Sequence, residues 1–232
     1  MSNLNLAFYT CFYGSKNNPA LGIPRVPSFE YKCYFYTNNE DIFNTLKLTK
    51  WIGIYDNKPI SYDGIESCMD GKHIKTMPHE YPHLKHYDYL CFFDNKITNI
   101  DVEFVEKYIY KYFIEKNYAL LLRKHWFIND SVWNEYDVSM LQERYRIESK
   151  KYRSYIRNQL NEGLKATGQL HCACGFLIRN MKHEKMNEIN TTWYKHIQEC
   201  GIQDQISFFF VKQLFIEYIY GFSEIPFLPR IK

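Results

Sequence analysis

Short apolar runs alternate along the chain with stretches in which apolar residues recur at helical spacing. Six runs have the length of a buried strand: 4–13, 31–37, 51–55, 87–93, 118–122 and 170–179. The amphipathic stretches predict helices over 41–47, 101–116, 135–162, 183–199 and 204–219, of which 135–162 is one long helix, whole or broken once. Strands that alternate with helices in this way predict an α/β fold with a mostly parallel central sheet flanked by helices.

Turn-forming residues mark the segments between these elements. Loops are predicted at 14–28 and, because of two glycines, at 57–71. Asp101 stands where an N-cap is expected before the second helix, and two prolines predict an extended C-terminal tail. No internal repeat, linker or low-complexity segment divides the sequence, so residues 1–232 are expected to form one domain.

Composition and charge exclude some classes of function. Hydrophobic residues make up 46% of the 232, enough for a packed core without disulfides. The numerous tyrosines and phenylalanines, 21 and 17, fit an AT-rich genome, viral or bacterial. A net charge of +3 is too small to indicate a nucleic-acid partner, and the basic group at 142–157 fits a solvated helix face better than an RNA site.

Cysteine usage and hydropathy bear on the compartment. The seven cysteines are an odd number, and several lie in apolar runs, which indicates a reducing environment. Cys172 and Cys174 lack a second pair at zinc-ligand spacing. Residues 1–13 do not have the pattern of a signal peptide, and no apolar stretch is long enough for a membrane span. We therefore expect a cytoplasmic protein, of the producing or the host cell.

Polar side chains follow three of the predicted strands, at the edge where α/β folds bind ligands. Asn38 follows the second strand, Asp56 the third and Asp94 the fourth. A carboxylate in the position of Asp94 can bind a ribose hydroxyl, coordinate a metal or act as a base, although Asp is also a common turn residue. Lys96 lies two residues further on, where its ammonium can neutralise a diphosphate or simply face solvent.

A basic segment with several histidines precedes the strand of Asp94. Lys72 and Lys75 are spaced to share one face of a helical turn, so together they can grip a pyrophosphate. His79, His83 and His86 have a spacing that permits a metal site. Two prolines interrupt the segment, however, which favours separate roles for the three histidines.

Asp204 stands at the predicted start of the last helix, after Gln203. A carboxylate there is stabilised by the helix dipole, which is the ordinary role of a capping acid. The position also suits a catalytic or acceptor-binding carboxylate. The sequence alone leaves the two interpretations open.

Taken in order, these segments resemble one known family. The matching fragments are YKCYFYTNN from 31, WIGIYDN from 51, KHIK from 72 followed by His79, the Asp94-Asn95-Lys96 triplet, the strand 120–125, and QDQISF from 203. The chain resembles GT-A-type glycosyltransferases of the family long described as a domain of unknown function in plant cell-wall and mucilage proteins, with bacterial and viral members. It departs from that pattern at Asn95 in place of Gly, Gln203 in place of Arg, and Asn134-Glu135 in place of a Glu pair.

The resemblance implies a hexosyltransferase-like enzyme with a Rossmann-like GT-A fold. Such an enzyme transfers a sugar, a hexose or a related one, from a UDP- or GDP-linked donor to a glycan or glycoprotein acceptor. The donor-binding residues it implies are Tyr9, Thr10 and Asn38 beside the nucleobase, Lys72 and Lys75 at the ribose and diphosphate, and Asp94, Asn95 and Lys96 at the ribose and phosphates.

The acceptor side and the cofactor follow from the same resemblance. Asp204 is implied beside the reacting sugar, as general base if the reaction inverts. Sugar and acceptor contacts are implied for His79, His125, Trp193 and Gln205, with Trp193 equally suited to the core. No cofactor is required, because the lysines supply positive charge; Mn²⁺ or Mg²⁺ at Asp94 is the alternative.

A second class of function stays open. The departures at Asn95, Gln203 and Asn134 also fit a catalytically inactive module that binds a nucleotide sugar or a glycan on the same fold. An RNA-binding helix at 142–157 is a weaker third interpretation.

Overall fold

The computed structural model describes residues 4–14, 22–126, 131–168 and 171–229. Its strands are β1 (Leu6–Phe12), β2 (Lys32–Thr37), β3 (Ile52–Tyr55), β4 (Tyr89–Phe93), β5 (Ile97–Thr98), β6 (Leu120–Lys124), β7 (Cys172–Asn180), β8 (Ile219–Phe222) and β9 (Leu228–Pro229). Its helices are α1 (Glu40–Leu46), α2 (Gly64–Thr76), α3 (Val102–Tyr108), α4 (Val132–Ser139), α5 (Glu143–Arg146), α6 (Ser149–Asn161), α7 (Met186–Cys200) and α8 (Asp204–Leu214). A 3₁₀ turn at Pro78–Glu80 and a π-helical turn at Ile109–Ile114 complete the helical elements of these ranges.

Seven of the strands form a central sheet in the order β3-β2-β1-β4-β7-β6-β8. Strands β3, β2, β1 and β4 are parallel, as are β6 and β8, while β7 runs antiparallel between β4 and β6. The predicted α/β fold with a mostly parallel sheet is therefore confirmed. Because β7 is reversed, its amino end lies at the same edge of the sheet as the carboxyl ends of β1 to β4 and β6.

Alternating side chains on β1 divide the core into two layers. Ala7 and Tyr9 face one side, where they pack with α2, α7 and α8, whereas Phe8 and Phe12 face the other side, with α1 and α3. A third apolar cluster joins α4, α5 and α6 to the outer side of α8. The layer that contains α2 and α8 matters most for function, since it brings two distant parts of the chain to one edge of the sheet.

The region predicted as a loop at 57–71 instead begins helix α2. Asp63 is its N-cap, because the Asp63 carboxylate accepts a hydrogen bond from the amide of Ile65 at 2.7 Å. Gly71 lies against β1: a Cβ added to it would sit 3.6 Å from Cys11 Sγ. This is an ordinary van der Waals distance, so the glycine is accommodated inside the helix and does not break it.

Three predicted helices have different bounds in the structure. The stretch 135–162 is broken twice, into α4, α5 and α6. The stretch 204–219 is helical only to Leu214, because Ile219 and Phe222 are buried in β8 beside β6. The stretch 101–116 continues α3 with the π-helical turn, and Asp101 is its N-cap as predicted, accepting from Phe104 N at 3.0 Å.

Two further features complete the fold. Part of the predicted C-terminal tail pairs with the chain, since β9 forms a two-stranded ladder with β5. Of the predicted loop at 14–28, residues 15–21 lie outside the described residues. Within the described ranges, none of the helices combines the length and the apolar character that crossing a bilayer requires.

Candidate functional site

Asp94 lies at the carboxyl end of β4, on the side of the sheet that carries α2. Its amide donates to the carbonyl of Gly175 at 2.8 Å. A Cβ at position 175 would come within 3.0 Å of Asp94 Oδ2, so the glycine leaves room for the carboxylate. The register between β6 and β7 shifts beside Gly175, and irregular pairing of this kind is frequent next to active sites.

Four further charged residues join Asp94 in what we call the lysine–aspartate cluster: Lys72, Lys75, Lys96 and Asp204. The ammonium groups of Lys75 and Lys72 lie 2.6 and 2.7 Å from Asp204 Oδ2. Lys75 Nζ is also 4.0 Å from Asp94 Oδ1, and Lys96 Nζ is 3.5 Å from Asp94 Oδ2. The structure therefore brings together the five charged residues that the sequence places on α2, after β4 and at the start of α8.

The lysine–aspartate cluster is buried at one end and open at the other. The side chains of Lys75 and Asp204 are 3% and 6% exposed, whereas those of Asp94 and Lys96 are 32% and 70% exposed. Lys72 is intermediate, at 18%. With three ammonium groups and two carboxylates, the cluster has a formal charge of +1. An anionic ligand can thus reach positive charge from solvent.

Burial and ion pairing act in opposite directions on the groups of this cluster. Burial favours the neutral form of Asp204, but the ammonium groups of Lys72 and Lys75 hold its pKa well below its usual range. For Lys72, burial lowers the pKa, but the nearby Asp204 and Asp94 carboxylates raise it overall. Both groups are therefore ionised at neutral pH, and Asp204 is a weak base.

Arg179 and Tyr9 fix the end of α2 that carries these lysines. The carbonyl of Lys75 lies in the last turn of the helix, where carbonyls lack partners within the helix. It accepts from Arg179 Nη2 at 2.7 Å and from the Tyr9 hydroxyl at 3.1 Å. Arg179 also donates to the Tyr9 hydroxyl at 3.0 Å and to Asn190 Oδ1 at 3.1 Å. A cation at a helix C-terminus is electrostatically favourable.

A second buried polar network surrounds Glu135 on α4. His171 Nε2 lies 3.1 Å from Glu135 Oε2, and the side-chain amides of Gln203 and Gln205 donate to Glu135 Oε1 at 2.8 and 2.9 Å. Ser139 accepts from the same Gln203 amide at 2.7 Å. Gln203 and Gln205 flank Asp204, so this network fixes the chain on both sides of the buried carboxylate.

Three residues predicted beside the nucleobase are buried. Tyr9 is fully buried, and its hydroxyl donates to the carbonyl of Lys75 at the end of α2. Thr10 is also fully buried, and strand alternation directs it into the layer of Phe8 and Phe12, on the other side of the sheet. Asn38 bonds to backbone, accepting from Gly14 N and donating to Pro59 O. As the structure stands, these three residues hold the scaffold and offer no exposed surface to a base.

The residues predicted to contact sugar or acceptor are dispersed. Trp193 is fully buried, with its ring 4.6 Å from Phe208 and 5.8 Å from Lys75 Nζ, so it supports the lysine and has no free face for a sugar. His79 is partly buried, 3.4 Å from the amide of Asn190. Gln205 belongs to the Glu135 network.

His125 lies at the carboxyl end of β6, at the same edge as Asp94. Burial lowers the pKa of its imidazole. The ring stacks on Trp126, with centroids 4.6 Å apart and an angle of 16° between the planes. Trp126 is exposed, and the Arg123 guanidinium also lies 4.8 Å from its ring centroid.

The side chains around Asp94 fit a divalent cation poorly. In the parts of the chain that the structure describes, no three His, Cys, Asp or Glu side chains converge on one point. His79, His83 and His86 are included in this statement. Both oxygens of Asp94 lie within 4.0 Å of an ammonium group.

Sequence reasoning missed several residues that shape the site. Arg179 ends an apolar strand, and a charged residue in that setting is a signal for a buried polar contact. In the sequence, Glu135 stands out only as the remnant of a Glu pair, and neither His171 nor Gly175 belongs to a motif. Their partners are distant in sequence, so no local pattern reveals them.

No known protein-family profile matches the chain, and no curated protein matches it in sequence. Several solved structures, however, are similar to this chain in three dimensions. Mouse xyloside xylosyltransferase 1, apo form, matches with a TM-score of 0.53 at 10% identity, over 94% of this chain and 84% of that one. Core-mannan synthase A from Aspergillus fumigatus, Mn/GDP-form, matches with a TM-score of 0.50 at 14% identity, over 95% and 73%. The mannosyltransferase Ktr4p from S. cerevisiae gives 0.45 at 13% identity, over 94% and 68%.

At these identities the likeness concerns the fold. The two structures with the higher scores are glycosyltransferases, and the chain shares their GT-A fold along nearly its whole length. The fold expected from the resemblance is thereby confirmed. The plant, bacterial and viral family remains a resemblance.

Proposed function

We propose that this chain is a glycosyltransferase that moves a sugar, a hexose or a related one, from a nucleotide-diphosphate donor to a glycan or glycoprotein acceptor. The observation that carries the proposal is the lysine–aspartate cluster, which opens to solvent at the carboxyl edge of a GT-A-type sheet. Residues 1–232 would act as one domain. The Mn/GDP form of the fold-related core-mannan synthase A supports a donor linked to a nucleoside diphosphate.

Charge stabilisation is the chemistry that this cluster provides. When the bond between the sugar and the diphosphate breaks, negative charge develops on the departing phosphate oxygen. Ammonium groups that are already in place stabilise this charge without reorganisation. Lys72 and Lys96 are the two lysines with exposed surface here, and Asp94 is suited to accept hydrogen bonds from a ribose or sugar hydroxyl.

Asp204 takes a different role from the general base that the resemblance implies. Its low pKa makes it a poor acceptor for the proton of an acceptor hydroxyl. Its Oδ2 lies within 2.7 Å of both Lys72 and Lys75. We propose that Asp204 holds these two lysines in position. Trp126 is exposed at the same edge of the sheet, but His125 stacks on its ring and the Arg123 guanidinium lies 4.8 Å from the ring centroid, so we assign it no acceptor contact.

An inactive module that binds nucleotide sugars is the second candidate. The observation that favours it is that Asp204 is paired with both Lys72 and Lys75. No other carboxylate has been assigned as the base that accepts the proton in the transfer reaction. Both candidates bind a nucleotide sugar, but only the glycosyltransferase transfers the sugar to an acceptor.

A thermal-shift screen followed by product analysis separates them. The full chain is heated with UDP- and GDP-linked hexoses, each with and without Mn²⁺, and bound donors are then incubated with oligosaccharide acceptors. A donor at a hundredfold excess over Kd adds about 2.7 kcal/mol of stability, an unmistakable rise in Tm. Release of nucleoside diphosphate with a glycosylated product is the expected result. Binding without release identifies the inactive module, and failure of every nucleotide sugar to bind refutes both.

A further inference from the structure

We propose that lysine side chains, chiefly Lys72 and Lys96, neutralise the diphosphate of the donor in place of a divalent cation at Asp94. The proposal rests on the function proposed above and concerns the same site. In addition to the proposed function, it identifies the charged groups that recognise the donor, and with these groups in place no metal ion is needed.

The first argument is that ammonium groups already lie beside the carboxylates. Lys75 Nζ is 4.0 Å from one oxygen of Asp94, and Lys96 Nζ is 3.5 Å from the other. Lys75 and Lys72 share Oδ2 of Asp204 at 2.6 and 2.7 Å. A divalent cation bound to either carboxylate would be repelled by one or two ammonium groups at close range.

The second argument is the supply of metal ligands. Manganese and magnesium are bound through several oxygen ligands, usually including more than one protein carboxylate or a carboxylate and the phosphates. Two residues after Asp94, where a second carboxylate would complete such a pair, the chain has Lys96. Across residues 4–14, 22–126, 131–168 and 171–229, no group of three His, Cys, Asp or Glu side chains is available.

The third argument is access. The exposed fraction of the side chain rises from 3% at Lys75 to 18% at Lys72 and 70% at Lys96. A diphosphate that approaches Asp94 from solvent therefore meets Lys96 and Lys72, while Lys75 stays beneath and holds Asp204. Each phosphate of a nucleotide sugar carries one negative charge, so each of the two accessible ammonium groups can make a charge-assisted contact with one phosphate.

The test is isothermal titration of the full chain with UDP, GDP and inorganic pyrophosphate, in EDTA and then with added Mn²⁺ or Mg²⁺. The expected result is that at least one of the nucleotides binds in EDTA, and that metal changes its Kd by less than about twofold. Lys96→Met is expected to weaken that binding about tenfold, since a charge-assisted contact is lost.

Lys182→Met is the matched control. Lys182 is also an exposed lysine paired with an aspartate, 2.6 Å from Asp88, but it lies at the opposite end of β4 from Asp94. Because both lysines are exposed, neither variant should fail to fold, and circular dichroism verifies this. The control variant is expected to bind as the wild type does.

Three outcomes overturn the proposal. Nucleotide binding that appears only with Mn²⁺ or Mg²⁺ and is lost in Asp94→Asn refutes the lysine site and leaves the glycosyltransferase function standing. Equal affinity in Lys96→Met and Lys182→Met removes Lys96 from the site. The absence of nucleotide binding both in EDTA and with metal refutes the proposed function itself, and this inference with it.

Discussion

Arg179 and Lys75 are buried cations on the same side of the sheet, yet they are held in different ways. Arg179 donates to a hydroxyl, a backbone carbonyl and a side-chain amide, at 2.7 to 3.1 Å. Lys75 faces two carboxylates and shares one of them with Lys72. The two residues are nevertheless linked, because the backbone carbonyl that Arg179 binds is that of Lys75.

The difference indicates which cluster is structural and which can bind a ligand. The hydrogen bonds of Arg179 go to neutral groups with fixed positions, as in a polar contact that joins β1, β7 and the end of α2. The lysine–aspartate cluster places three ammonium groups around two carboxylates and opens to solvent at Asp94 and Lys96. The excess of one positive charge in this cluster favours an anion from outside.

The largest effect is expected for Arg179→Met. The variant removes the buried donor to the Tyr9 hydroxyl oxygen and to Asn190 Oδ1, and it leaves the carbonyl of Lys75 with the Tyr9 hydroxyl as its remaining donor. The free energy of unfolding should therefore fall by about 3–5 kcal/mol. Urea unfolding at pH 7 measures it. Arg157→Met on the exposed face of α6 is the control, with an expected change below about 0.5 kcal/mol. A stable Arg179 variant would show that α2 is anchored elsewhere.

A smaller loss, about 2–3 kcal/mol, is expected for Lys75→Met. The variant removes one of the two ammonium groups that neutralise Asp204, but the helix end stays bound through the unchanged carbonyl. Urea unfolding again gives the value, and Lys182→Met serves as the control. If Lys75→Met proved as damaging as Arg179→Met, the separation of the two clusters would be wrong.

Asp204→Asn should cost about 2 kcal/mol at neutral pH, because Lys72 and Lys75 lose their shared counter-charge while the amide keeps an acceptor oxygen. The depressed pKa of Asp204 adds stability above the pKa of the unfolded carboxyl, about 3.9, and this contribution is lost as pH falls further towards the folded pKa.

Urea midpoints between pH 3 and pH 7 measure this dependence. The difference between wild type and Asp204→Asn should shrink as the pH falls below about 4. A difference that is constant over this range would mean that the Asp204 carboxylate is not stabilised by the lysines.

The smallest effect is expected for Gly175→Ala. The new Cβ would lie within 3.0 Å of Asp94 Oδ2, so Asp94 has to shift by a few tenths of an ångström, at a cost of about 1 kcal/mol. Affinity for the nucleotide should fall more clearly than stability, since the carboxylate borders the site. Gly64→Ala, where no atom lies within 4 Å of the added Cβ, is the control. Unchanged affinity in Gly175→Ala would place the ligand away from Asp94.

The sequence was sufficient for the fold class and for most strands. Apolar runs report burial directly, so β1 to β4, β6 and β7 were found within a few residues of their bounds. Helix α2 was missed at its start because glycine has a low intrinsic helix propensity. What overrides propensity there is the N-cap at Asp63 and the contact of Gly71 with β1, and the latter is visible only in three dimensions.

The charged residues of the candidate site were identified from position, but their pairing was not. Lys75 and Asp204 are 129 positions apart, and no periodicity connects them. The same holds for Arg179 and Tyr9, 170 positions apart. Local patterns reveal which side chains stand at the end of a strand or helix. Whether such a side chain points to solvent, as Lys96 does, or inward, as Tyr9 does, depends on the packing of distant elements.

The carbonyl of Lys75 has a consequence for how this site can vary between related sequences. Every amino acid has a backbone carbonyl, so the bond from Arg179 holds the helix end whatever side chain stands at position 75. Positions 72, 75 and 96 can therefore exchange ammonium for guanidinium or amide groups while the backbone remains in place. Descendants of one ancestral scaffold that kept Tyr9 and Arg179 could diverge in the anion they recognise, and protein engineers can use the same freedom.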